Sequence, residues 1–338
     1  MKNIVINDQY NQLDLKPSQL IERYISLTQR DVGKILADPV QLAVCNCPAC
    51  GATERQPAFV KFSLQYQECQ HCHTLYVSPR PNDIMLNDYY LKSEARAFWC
   101  NELSQLTDKK RKEKVIKPRF QWILESAREY SPSAKTWVDI NTSQYSYIDA
   151  MADADIFENK ILLNPYLPLE SKDYPRVTII KKPWWEEPAI DQVSVISLFE
   201  VIDHTADVGR LMATVNAMLS KSGLCFLTAI LSSGFDIQTL WQQAENLHPP
   251  DRLNCFSVKG LHALFEKYGF ECLELSTPGI FDLEFVAKRL KEQPRLNVPR
   301  FVRDLIEHKD EETKRAFQEF LQSACMSSYG RILIRKKG

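Results

Sequence analysis

Over the second half of the chain, short runs of consecutive apolar residues alternate with stretches whose apolar positions recur every three or four residues. The runs 137–140, 161–163, 177–180, 193–199 and 224–231 are strand-sized, and the segments between them read as helices. That alternation predicts an α/β fold, a doubly wound sheet of parallel strands, because each parallel pair needs a crossover that buries one helical face. The segment 208–220 reads as a helix whose C-terminus falls on Lys221-Ser222-Gly223. A second helix, 258–268, ends at Gly269 and feeds a strand over 271–275. Residues 281–325 are charged and helical, and 331–335 reads as a final edge or hairpin strand.

The first half is patterned differently. Leu20, Ile21, Tyr24, Ile25 and Leu27 have near-helical spacing within 18–36. A cysteine-rich stretch follows and ends in Ser78-Pro79-Arg80-Pro81, where the close prolines exclude regular structure. Beyond it lie helices, a basic run from Lys109 to Lys117 that reads most simply as a solvated helix face, with a phosphate contact to a nucleotide-linked sugar as the sharper alternative, and an amphipathic helix over 120–130. Ser131-Pro132-Ser133 marks the next joint. The organisation expected is an N-terminal helical segment (1–40), a metal-binding module (41–82), a helical linker (83–132), a doubly wound core (133–280) and C-terminal helices with a last strand (281–338).

Composition narrows the function classes. Forty-two Lys and Arg against 43 Asp and Glu leave a net charge of −1, so no global field draws the chain to nucleic acid or anionic lipid. Nucleic-acid binding is further disfavoured by the lack of an aromatic-basic stripe. No apolar run reaches the roughly 18 residues that a membrane span needs, and the first residues lack the apolar core of a signal peptide, so a cytoplasmic location is expected.

Of ten cysteines, five fall between Cys45 and Cys72. Cys47-x-x-Cys50 and Cys69-x-x-Cys72 have the spacing of two knuckles that present four thiolates to one tetrahedral Zn²⁺. Four thiolates leave no open position, so the metal is expected to be structural. Cys45, His71 and His73 are the surplus candidates.

Further along, Leu198-Phe199-Glu200-Val201-Ile202-Asp203-His204 precedes a helix and Leu219-Ser220-Lys221-Ser222-Gly223-Leu224. This arrangement resembles the end of the fourth strand and the following segment of class I S-adenosylmethionine-dependent methyltransferases, a Rossmann-like fold. Pro249-Pro250-Asp251-Arg252-Leu253-Asn254, Tyr268-Gly269-Phe270 and Ser276-Thr277-Pro278-Gly279 extend the likeness downstream. Upstream, the paired CxxC, Pro79-Arg80-Pro81, Tyr89-Tyr90 and Phe98-Trp99 resemble a bacterial subgroup of that family with an N-terminal zinc-ribbon-like module and a helical linker. The resemblance spans roughly 40–335. It implies a cofactor site over Asp139, Asn141, Asn164, Phe199 and Glu200, with Glu200 or His204 as general base toward a small-molecule methyl acceptor such as a sugar or sugar nucleotide.

This chain departs from that family at the cofactor itself. The family's loop after the first strand is glycine-rich because side chains there collide with the ligand. Here the chain holds ten glycines in 338 residues, about 3% against an average near 7%, and none lies between Gly51 and Gly209. An acidic residue that usually meets the ribose is replaced by Asn164, and a histidine by Arg252. Two readings stay open. In one, Asn141 takes the left-handed turn and S-adenosylmethionine binds. In the other, Gln144, Tyr145 and Tyr147 fill the cleft, and a catalytically inactive relative serves as a scaffold for a protein partner.

Overall fold

A computed structural model of the chain describes residues 15–36, 38–140, 145–166, 174–186 and 189–338. Its strands are β1 (Arg55–Lys61), β2 (Leu64–Cys69), β3 (Leu75–Val77), β4 (Thr136–Ile140), β5 (Asn159–Leu163), β6 (Thr178–Ile180), β7 (Val193–Phe199), β8 (Leu219–Ile230), β9 (Asn254–Cys255), β10 (Phe270–Ser276) and β11 (Tyr329–Lys336). They form a seven-stranded sheet of order β10-β11-β8-β7-β4-β5-β6 and a four-stranded sheet of order β1-β2-β3-β9.

In the large sheet β8, β7, β4, β5 and β6 run parallel, and β11 enters antiparallel between β10 and β8. Val138, Ile196, Leu227 and Ile332 are wholly buried, as expected of strands covered by helices on both faces. Each such side chain contributes about 1.5–3 kcal/mol by leaving water. β11 is therefore an interior strand, antiparallel to β10 on one side and β8 on the other, so of the two expectations, edge or hairpin strand, the edge fails. Ile332, Leu333 and Ile334 are buried in succession, a pattern that an edge strand does not need.

A second expectation fails at Gly223. The helix Val208–Met218 stops at Leu219, which already belongs to β8, and Lys221-Ser222-Gly223 bulges out where β7 and β8 change register. Gly223 is required there by a close backbone approach: a Cβ would stand 3.0 Å from the carbonyl oxygens of Ser220 and Val193.

The small sheet is antiparallel and is completed by the main body, since β9 supplies its last strand. The helix Val258–Lys267 then packs on the cysteine knuckles. Ser257 caps it by accepting from Gly260 N (2.8 Å) and also donates to the Cys72 carbonyl. Pro79-Arg80-Pro81 and the segment after Pro249-Pro250 meet in space. Buried Arg80 donates to Asn254 Oδ1 (3.0 Å) and to the Ala206 carbonyl (2.8 Å), and Asn254 Nδ2 donates to the Ile202 and Thr205 carbonyls. The N-terminal helix Ser18–Ile35 covers this junction, with Tyr24 donating to Asp251 Oδ2 (2.6 Å). No helix among the described residues is long and apolar enough to cross a membrane.

Candidate functional site

The four cysteines expected to bind metal converge. Their Sγ atoms all lie within 4.8 Å of one another, with Cys47–Cys72 and Cys50–Cys69 both at 3.6 Å. A tetrahedron with metal–sulfur arms of about 2.3 Å has edges of about 3.8 Å, so the donor set fits one tetrahedral ion. The two knuckles repeat one turn. Gly51 N donates to Cys47 O and His73 N to Cys69 O, both at 2.9 Å, and Gly51 and His73 both take a left-handed backbone, with φ of 82° and 61°. The histidines stay outside the cluster. His71 pairs with Glu54 and His73 with Glu68 at the surface, and Cys45 Sγ points to the Val77 carbonyl.

The second site lies at the carboxyl ends of the parallel strands. The chain runs outward from β4 to β5 and β6, then returns to place β7 on the other side of β4. The crevice between β4 and β7 is thus the topological switch point, the place where open α/β sheets bind ligands. Asp139 and Phe199-Glu200 end these two strands, and Asn164 follows β5. Asn141 and Gln144, and the side chain of Tyr145, lie outside the described residues.

Asp139 is fully buried and accepts from Ser197 Oγ (2.5 Å) and from Tyr147 OH (3.0 Å). Ser197 in turn accepts from Trp137 Nε1 (2.9 Å). Asn164 Oδ1 accepts from Tyr166 N (2.7 Å), which fixes the turn after β5. Phe199 carries the Arg119 guanidinium at 4.9 Å from its ring centre.

Glu200 sits at a left-handed φ of 61°, an uncommon conformation for a residue with a side chain, and its N–H donates to Thr228. Its carboxylate accepts from Arg119 (2.8 Å) on one oxygen and from Arg252 (3.4 Å) on the other. Burial opposes its ionisation, but the two guanidiniums outweigh it and hold the carboxyl well below the usual carboxylate range. Behind it, Arg252 Nε lies 3.3 Å from Asp203, whose carboxyl burial pushes up to about 7 against the pull of Arg252.

His204 contacts Tyr90 edge to face at 5.5 Å, and Tyr90 in turn meets Tyr166. Burial lowers the imidazole to about 4, so it is neutral at physiological pH, and its nitrogens bond to none of the described residues. Of the two candidate bases, Glu200 is clamped and His204 is open.

Sequence reasoning passed over Arg119, and it read the run that holds Arg111 as a solvated face with a phosphate contact as the alternative. The run lies on one continuous helical stretch interrupted by π-helical turns over Trp99–Leu103 and Lys112–Ile116, and Arg111 and Arg119 turn inward toward Glu200. For Arg119 the advance signal is its place in Pro118-Arg119-Phe120, directly after the run. A depression of about 670 Å³, lined by Thr136, Asn159, Lys160 and Arg176 among others, lies at the opposite, amino ends of the strands.

Residues 93–275 match the protein family described as a methyltransferase domain. No curated protein matches the chain. Among solved structures, the YcgJ protein of a Bacillus species is similar over 65% of this chain and 99% of its own, at 15% identity and a TM-score of 0.40. Phosphoethanolamine N-methyltransferase 2 of Haemonchus contortus, solved with S-adenosyl-L-methionine, is similar over 65% of this chain and 53% of its own, at 16% identity and a TM-score of 0.39.

Proposed function

The chain belongs to the methyltransferase-domain family, and from that premise we propose that it binds S-adenosylmethionine at the β4–β7 switch point and transfers the methyl group to a small molecule. The observation that carries this reading is the convergence of Asp139, Phe199, Glu200 and His204 at the carboxyl ends of two adjacent parallel strands whose connections diverge. Asn164 closes the same end from β5.

In this reading the cofactor supplies an electrophilic methyl group, and the protein's own contribution is placement and water exclusion. His204, neutral and without a hydrogen bond to the described residues, takes the proton released when an acceptor hydroxyl or amine is methylated. Glu200 stays ionised throughout, so it acts by charge and position rather than by exchanging a proton. The tetrathiolate cluster holds a structural Zn²⁺, as its donor set and spacing support.

One observation favours a second reading. Tyr147 OH and Ser197 Oγ already donate to Asp139, which supports an inactive relative whose cleft is filled from within and whose ligand is a protein partner.

Calorimetric titration of the metal-loaded protein with S-adenosylmethionine and S-adenosylhomocysteine separates the two. Saturable micromolar binding of both, weakened by Phe199→Ala, is the outcome expected for the enzyme. No heat and no thermal shift up to millimolar ligand would overturn it in favour of the inactive relative.

A further inference from the structure

Three guanidiniums gather around Glu200, and one of them, Arg111, has no carboxylate in hydrogen-bond reach among the described residues. Glu200 offers two oxygens, one to Arg119 and one, at the long edge of hydrogen bonding, to Arg252. Among the described residues Arg111 bonds neutral groups, Thr107 Oγ1 (2.9 Å) and the Leu15 carbonyl (3.1 Å), and lies over the Trp99 ring at 5.1 Å, while Glu200 and Asp108 act on it from further away. Lys16, which bonds Asn246 Oδ1 (2.5 Å), adds a fourth cation nearby, balanced first by Glu245 and then by Glu200 against Arg252. On the acidic side, Asp203 pairs with Arg252 at 3.3 Å, its carboxyl pushed by burial up to about 7, and Asp251, which accepts from Tyr24, also acts on Arg252 by its charge. Among the described residues, Arg119 and Arg252 thus have Glu200 and Asp203 as carboxylate partners, and Arg111 has none within reach of an ion pair.

Two further features mark the same place. Arg119 Nε is buried and makes no hydrogen bond to the described residues, and Arg252 Nε meets Asp203 at 3.3 Å as an ion pair without hydrogen-bond geometry. The Arg119 and Arg252 side chains are 16% and 14% exposed while that of Glu200 is 46% exposed, so the cluster opens to solvent over the carboxylate itself. Glu200 reaches it from a strained backbone at a strand end, where strain accumulates at ligand sites. A π-helical turn, frequent at functional sites, lies between Arg111 and Arg119.

We propose that Arg111, Arg119 and Arg252 form a recognition site for an oxyanion, a carboxylate or a phosphate, carried by the small-molecule acceptor, with Glu200 as the internal carboxylate that holds the guanidiniums in place. The planar fork of arginine suits either group. The inference rests on the methyl-transfer reading for the word acceptor alone; the anion site stands on its own geometry.

The test titrates the metal-loaded, full-length protein with inorganic phosphate and with acetate, with and without saturating S-adenosylhomocysteine. Saturable binding of at least one anion is expected, weaker at high salt, with the tighter of the two naming the chemistry. Arg111→Gln is expected to weaken it about tenfold and Arg111→Lys to restore part of the loss, while Glu200→Gln, which removes the internal competitor, tightens it. These opposite signs separate recognition from misfolding. Absence of anion binding by the folded protein, or indifference to all three substitutions, overturns the site. Mutual exclusion of phosphate and S-adenosylhomocysteine also overturns it, because the guanidiniums then serve the cofactor's own carboxylate. Anion binding with no S-adenosylhomocysteine binding upholds the site and sinks the cofactor reading instead.

Discussion

Glu200 and His204 stand a few residues apart in one motif, yet burial and neighbours push them to opposite roles. Two arginines keep the first charged, and an aromatic wall keeps the second neutral. His248 behaves like His204. It is buried between Phe62 and Tyr24, its Nδ1 has no hydrogen-bond partner among the described residues, and burial lowers it to about 4 against the opposing charge of Asp251, with Lys61 and Arg252 nearby. Between pH 4 and about 6.5 the unfolded chain binds the proton more readily than the folded one, so this residue's contribution is full above about 6.5 and lost as pH falls toward 4. Denaturant titrations over that window should show stability rising with pH by about 2–3 kcal/mol on account of His248, and His248→Gln should remove that slope. An unchanged slope in the variant would assign the pH dependence to other groups. Residue identities were legible in sequence for the thiolates and for Glu200, but the partners that set each protonation state come from segments 50 to 80 positions away.

At the scale of elements, the helix Val258–Lys267 carries the contact between module and core. Gly260 faces the second knuckle, where a Cβ would collide with Thr74 Oγ1 and press on Ala49 Cβ at 3.1 Å. Neither Thr74 nor Ala49 can yield, because both are wholly buried against the cysteines. Gly260→Ala is therefore expected to destabilise by about 1–3 kcal/mol despite its better helix propensity, and to speed metal loss to a chelator. Thermal melting and a colorimetric release assay check both parts, and a variant as stable as the parent would mean that the helix shifts freely. The apolar runs read as strands became β4 to β8, because parallel strands buried on both faces announce themselves as unbroken apolar stretches. The placement of β11 and the bulge at Gly223 were not legible, since both depend on which strands lie alongside.

For the whole molecule, the metal module and the sheet share structure: β9 closes the ribbon's sheet and, directly before it, Arg252 enters the anion cluster. Removing the metal by chelation should therefore lower one cooperative melting transition, by about 5 °C or more, and should weaken phosphate binding as well. Two separate transitions, with binding intact, would show that the module melts alone. What the sequence determined by itself is what depends on local spacing and periodicity: four thiolates on two knuckles, the alternation of strands and helices, and the family motif ending in Glu200 and His204. Only the tertiary structure decided the rest. It turned Arg111 and Arg119 inward, joined Pro79-Arg80-Pro81 to Asn254 and gave Asp139 to Ser197 and Tyr147. The physical reason is that charge pairing and burial depend on distances between remote segments, which no spacing along the chain encodes.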